Sequence, residues 1–115
     1  MTELELSRKI AQIISNKKGF DIVDIHVTDY SIIADYFVIA TGTSNTHVKS
    51  LADEIEYELS LLGVEPRSIE GKATGWILLD YSTVVVHIFT PDSREYYNLE
   101  RLWSDAEQVD ISDID

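Results

Sequence analysis

Cysteine is absent from the 115 residues, which excludes a disulfide framework and thiol chemistry and removes the commonest soft metal ligand. Basic residues are scarce, 9 Lys and Arg against 21 Asp and Glu, for a formal net charge of -12. Such a chain repels phosphate backbones and lacks the basic stripe that tracks nucleic acid, so direct DNA or RNA binding is not expected. A basic protein partner suits it better, because opposite potentials speed encounter. No run approaches the ~18 apolar residues of a membrane span, and the N-terminus carries no apolar signal-peptide core. A cytoplasmic protein without membrane contact is the expectation. At this length one domain buries roughly two-thirds of its unfolded surface, enough for a conventional core.

What is present is periodic. Thr2 can cap a first helix, with Glu3 and Glu5 in its first turn, Leu6, Ile10, Ile13 and Ile14 as its apolar stripe, Lys17 and Lys18 at its end and Gly19 as its stop. Asp21 to Val27 follows as a strand with Ile25 and Val27 inward, then a connection from Thr28 to Ala34, then DYFVIAT from Asp35 to Thr41 as a buried central strand. Gly42-Thr43-Ser44-Asn45 is a strand-to-helix turn capped by Ser44 or Asn45. The helix beyond it presents Val48, Leu51, Ala52, Ile55, Leu59 and Leu62 and ends at Gly63. Val64 to Ile69 is a third strand in which Pro66 implies an edge position or an irregular start, and the helix before it implies that the second and third strands run parallel. A last helix starts at Pro91 with Asp92 or Ser93, placing Tyr96, Leu99 and Trp103 on one face with Leu102 beside it. Trp103, at helical spacing, is expected to be a packing residue. Residues 107–115, EQVDISDID, form a short acidic tail with no packing period, expected to fray.

Gly75 to Tyr81 and Thr83 to Phe89 are two strands so close in sequence that only antiparallel pairing is open to them. With Tyr81-Ser82 as the turn, Asp80 would face Thr83, Leu78 would face Val85 and Trp76 would face His87. Ile77, Leu79, Val84, Val86 and Ile88 then make a uniformly apolar face, which must be the core side. Trp76, Leu78, Asp80, Val85, His87 and Phe89 make the other. That second face mixes large apolar groups with an acid and an imidazole, as a binding patch does. The alternative is that a helix covers it, since strands buried on both faces also read as apolar runs.

Catalytic motifs are weak. The Gly42 turn could cradle a phosphate at a helix N-terminus, but GTSNTHVKS has no Gly-Lys-Ser/Thr at phosphate-loop spacing, and a capped turn is the simpler reading. His26, His47 and His87 are scattered, with no metal-binding spacing, and no nucleophilic triad stands out. Asp21, Asp24, Asp29 and Asp35 read as strand-end and loop residues facing water. No cofactor and no metal are expected.

GWILLDYSTVVVHIF followed by REYYNLERLWSDA, together with the earlier DYFVIATGTSNTHVKSLADEIE, closely resembles the ribosomal silencing factor family, also called the Iojap-related family. The resemblance runs from about Asp21 to Ala106, making residues 1–106 one silencing-factor domain followed by the tail. It implies an α/β fold similar to that of nucleotidyltransferases without their active site. With the elements above, this becomes a mixed five-stranded sheet with flanking helices. It further implies a non-enzymatic translational repressor that binds large-subunit ribosomal protein fourteen, blocks joining of the ribosomal subunits when nutrients are scarce, and forms homodimers. On the mixed hairpin face, Trp76, Leu78 and Val85 would be apolar anchors, Asp80, His87 and Lys72 would fix register at the rim, and Tyr96 would extend the patch. The chain departs from the family at the hairpin turn, with Ser82 where the family often has Gly and Thr83 where it usually has an acid. Two other functions stand beside this one. A minimal nucleotidyltransferase would need a carboxylate pair on a strand after the Gly42 turn, which is missing; a non-ribosomal adaptor would dimerise through the hairpin face.

Overall fold

The fold begins with a reciprocal cap. Thr2 Oγ1 accepts from the Glu5 N–H at 3.1 Å, while the Glu5 carboxylate accepts from the Thr2 N–H at 2.8 Å, so two donors that a helix start leaves unpaired are satisfied at once. Helix α1 (Glu3–Asn16) follows, with Leu6, Ile10, Ile13 and Ile14 buried as their spacing predicts. In this computed structural model, which describes residues 1–27, 34–71 and 75–114, α1 ends at Lys17, and it is Lys18, not Gly19, that takes the left-handed conformation. Gly19 is needed for another reason: a Cβ there would lie 2.3 Å from Ile14 Cγ2.

Strands β1 (Phe20–His26) and β2 (Tyr36–Thr41) pair antiparallel, with Ile25 and Val27 buried as expected. Most of the connection expected between them, residues 28–33, lies outside the described residues. A bulge between Phe20 and Val23 puts Asp21 at φ +50°. Ser44, rather than Asn45, caps α2 (Asn45–Ser60), and Val48, Leu51, Ala52, Ile55 and Leu59 are buried on it. Leu62, placed on that stripe by the sequence pattern, lies beyond the helix end and is 52% exposed. Strand β3 is shorter than expected, Ser68–Glu70, and holds the edge position that Pro66 implies.

Strands β4 (Trp76–Asp80) and β5 (Val84–Phe89) form the antiparallel hairpin, and the sheet order is β3-β4-β5-β2-β1-β6. Strand β5 runs parallel to β2 and the other neighbours are antiparallel. Strand β3 therefore does run parallel to β2, but β4 and β5 lie between them. Among the described residues the sheet has six strands, not five. The sixth, β6 (Glu107–Gln108), comes from the tail expected to fray, which pairs with β1 instead.

Helices α1 and α2 cover one face, over Val38, Ala40, Ile77, Leu79, Val84, Val86 and Ile88, which is the core side assigned from the alternation of the hairpin. The same face buries Asp24, 1% exposed, against the expectation that it meets water. Ser7 on α1 donates to its carboxylate at 2.7 Å. Burial raises the Asp24 carboxyl to a pKa of about 6 against the pull of Ser7, Arg8 and His26.

Candidate functional site

The opposite sheet face is built by register. The hairpin pairs Asp80 with Val85, Leu78 with His87 and Trp76 with Phe89, two residues away from the pairing that a Tyr81-Ser82 turn would give. The loop is Ser82-Thr83, closed by the Tyr81 N–H donating to Val84 O at 2.9 Å. Ser82 stands at φ +70°, and its N–H is held by Asp80 Oδ1 at 2.8 Å. A slip of two preserves side-chain parity, so the assigned faces survive although every partner changes. Strand β2 then continues the rows, with Phe37 beside Val85, Ile39 beside His87 and Thr41 beside Phe89.

A thin cover crosses this face. Helix α3 (Pro91–Tyr97) is capped by Thr90 with Pro91 in its first turn. It starts close against β4 because Gly75, at φ +76°, has no Cβ to strike Ser93 Oγ, which would be 2.9 Å away. Asn98, at φ +45°, stops it, and a 3-10 helix, Leu99–Trp103, follows. The single amphipathic helix expected here is thus broken, and its residues part. Leu99 and Trp103 pack on the second-face core of Ile25, Val27, Ile39, Phe89 and Ala106, whereas Tyr96 is 82% exposed and Leu102 is exposed. Arg94 ties the cover down: its guanidinium bonds the Glu100 carboxylate at 3.2 and 3.3 Å, Thr41 Oγ1 at 2.8 Å and the Asp21 carbonyl.

At the centre is an aromatic cluster around His87. Trp76 Nε1–H donates to His87 Nδ1 at 3.2 Å, and Phe37 meets the imidazole edge-on at 5.1 Å between centroids. Trp76 stacks on Phe89 at 5.1 Å and lies 4.6 Å from Tyr97; Phe37 meets Trp103 edge-on at 5.3 Å. His87 is 5% exposed, and burial lowers its pKa to about 4. It is neutral at pH 7, and with Nδ1 accepting from Trp76 its proton sits on Nε2, a buried atom that has no partner among the described residues.

The expected site residues separate by depth. Trp76 and Leu78 are half-buried and offer apolar surface. Val85 and His87 are buried, so they form the floor under that surface rather than an anchor and a rim. Asp80 is engaged by Arg67 Nη2 at 2.8 Å as well as by the Ser82 N–H. Tyr96 stands off the sheet, edge-on to Tyr97 at 5.0 Å. Lys72 lies outside the described residues. Phe37, Ile39 and Tyr97, which the hairpin alone could not supply, complete the face. The two-residue spacing of Phe37 and Ile39 was a usable signal, but their place beside β5 depends on a long-range parallel pairing.

Hydrogen bonds tie the Gly42 turn to its own helix and to the end of α1. The Thr43 N–H donates to His47 Nδ1 at 2.9 Å, His47 Nε2–H donates to the Lys17 carbonyl at 2.9 Å, and the His47 N–H goes to Ser44 Oγ at 3.2 Å. Two backbone donors of the turn, the Thr43 and His47 N–H groups, are thus engaged within it. His26, stacked on Tyr36 at 4.7 Å, is on the other face of the sheet from His87. No trio of His, Asp or Glu among the described residues is arranged to hold a metal ion, and no helix there is long and apolar enough to cross a membrane.

Comparison with known proteins matches residues 1–115 to the family described as "Ribosomal silencing factor during starvation". A relative from Halalkalibacterium halodurans named ribosomal silencing factor is 36% identical over 99% of this chain and 98% of its own length. A crystal structure of a Chromobacterium violaceum protein superposes with a TM-score of 0.87 at 33% identity, covering 90% of this chain and 88% of that one. A mouse relative named "mitochondrial assembly of ribosomal large subunit protein 1" is 32% identical over 83% of this chain and 43% of its own length.

Proposed function

The chain belongs to the ribosomal silencing factor family, and from that membership we propose that it represses translation in the cytoplasm by binding the large ribosomal subunit through its protein fourteen and sterically blocking subunit joining. What carries the reading is the family match along the entire chain. The mouse relative's name supports the large subunit as the partner, and a net charge of -12 suits a basic protein surface rather than RNA. Exclusion of this kind needs no bond chemistry. A standard interface of roughly 1,600 Å², about 800 Å² from each side, would occupy about an eighth of the 6423 Å² surface of this chain.

The second sheet face is the proposed contact. Trp76 and Leu78 supply half-buried apolar surface, with Tyr96 extending the patch, and Lys72 is assigned to fix register at its rim. Val85 and His87 hold the floor, and Asp80, fixed by Arg67, fixes one margin. The same half-covered face could receive a second copy of the chain, so a homodimer would compete with the ribosome for it.

Co-sedimentation with separated ribosomal subunits tests both parts. The chain is expected to pellet with the large subunit and not the small. Leu78→Ala with Tyr96→Ala, both side chains outside the core, should weaken that binding by about tenfold or more, as loss of interface hot spots does. Trp76→Ala should weaken it further, with folding checked by circular dichroism because Trp76 also packs on Phe89. Binding to neither subunit would refute the silencing function; undiminished binding by both folded variants would move the contact elsewhere on the molecule.

A further inference from the structure

The proposed silencing contact leaves the far edge of the sheet unused. Strand β1 would be an edge strand with open backbone donors and acceptors, a surface on which foreign strands pair unless it is guarded. Here the tail guards it. Glu107 and Gln108 pair with His26 and Ile25, and the Val109 N–H donates to the Asp24 carbonyl at 2.7 Å. Arg8 on α1 then clamps the tail with its guanidinium, bonding the Asp110 carbonyl and both carboxylate oxygens of Asp113, the latter at 2.7 and 2.6 Å. Ile114 ends in an open groove of about 610 Å³ along α1, beside Met1 and Leu4.

The receiving half of this contact is built without the tail. Ser7 donates to the buried Asp24 carboxylate, fixing α1 over β1, so the next residue, Arg8, is held above the strand edge. A guanidinium fork beside an open strand edge reads an extended segment that carries a carboxylate. The occupying half is slight. Strand β6 has two residues, both exposed, and Asp113, in the clamping ion pair, is mostly in water, where such pairs are weak. Contacts of this size open locally without unfolding a domain.

We propose that the outer edge of β1 together with Arg8 is a strand-addition site for extended acidic peptides, and that residues 107–114 of the chain occupy it in cis as an exchangeable strap. The site recognises backbone along Asp24 to His26 and one carboxylate at Arg8. It is independent of the aromatic face, so it stands or falls apart from the ribosomal reading.

The test uses the full-length chain with its tail unfastened by Val109→Pro, which removes the N–H given to Asp24, and Asp113→Lys, which reverses the clamped charge. The expected result is a folded protein that binds a synthetic peptide of residues 106–115 saturably. Amide shifts should fall along β1 and at Arg8, and the Asp113→Lys peptide should bind at least about fivefold more weakly. In the unmodified chain the Val109 amide should exchange with solvent faster than the amides of β2 and β5. Global unfolding of the double variant would make the tail part of the cooperative core and overturn the proposal. So would a folded variant that ignores the peptide, equal binding of both peptides, or exchange of Val109 as slow as that of β2 and β5.

Discussion

Asp24 and His87 are buried on opposite faces of the sheet, and burial shifts them in directions whose effects on stability oppose each other. The Asp24 pKa rises to about 6 from the ordinary 3.8, so the folded chain binds the extra proton, and stability falls as pH rises through that window. The His87 pKa falls to about 4 from 6.5, so the unfolded chain binds the extra proton, and stability falls as pH drops from 6.5 to 4. Each shift of about two units is worth on the order of 3 kcal/mol, and between pH 4 and 6 the two slopes largely cancel. Asp24→Asn, which keeps an acceptor for Ser7, should therefore stabilise the chain at pH 7.5 by about 1 to 3 kcal/mol and give little gain at pH 4. Urea unfolding of both proteins at the two pH values measures it; an equal difference at both would mean that Asp24 does not titrate as its burial implies. Neither group was legible from sequence. Alternation with Ile25 and Val27 puts Asp24 on the side away from them, and only the packing of Ser7 shows that this side is covered too, just as only Phe37, supplied by β2, explains why His87 is dry.

Whole elements were legible where their period was long. Helices α1 and α2 and strands β4 and β5 lie where the apolar spacing puts them, because each buries a stripe that sequence alone displays. The failures are at short-range exceptions to the period. YYNLERLW continues a helical pattern, yet Asn98, one of the few residues that tolerate the left-handed region, breaks it at φ +45°. Strand β6 has two charged or polar residues and no period at all; its existence depends on the edge it joins. The hairpin slipped by two because the turn closes on Ser82-Thr83 with Ser82 at φ +70°, a conformation glycine reaches without steric cost. Ser82→Gly should therefore raise stability by about 0.5 to 1 kcal/mol through relief of left-handed strain, offset in part by the greater freedom of glycine in the unfolded chain. Thermal unfolding would show it as a rise in Tm of a few degrees; a fall would mean that the Asp80 bond to the Ser82 amide needs serine's restricted backbone.

For the molecule as a whole, the least legible feature is the order of the sheet, since inserting β5 beside β2 depends on pairing residues nearly fifty positions apart, which no local pattern encodes. That insertion gathers Phe37, Trp76, His87 and Phe89 into one cluster, and the path of residues 91–114 then crosses the face from Tyr97 over Trp76 to Trp103 over Phe37 and on to the β1 edge. The candidate site was thus half visible: the mixed hairpin face could be derived, but its cover and its β2 half could not. Net charge, by contrast, is a property of composition and is unaffected by topology. At -12, the chain carries a long-range field that should steer it to a basic surface, while the proposed contact itself is mainly apolar. Steering acts on the association rate and is screened over about 10 Å at 0.1 M salt, whereas apolar contact governs departure. Association with large subunits, followed by stopped-flow fluorescence at monovalent salt from 50 to 300 mM with magnesium fixed to keep the subunits intact, should slow by about tenfold or more. The dissociation rate should change far less. An association rate indifferent to salt would remove electrostatic attraction from the mechanism and leave the apolar face to find its partner unaided.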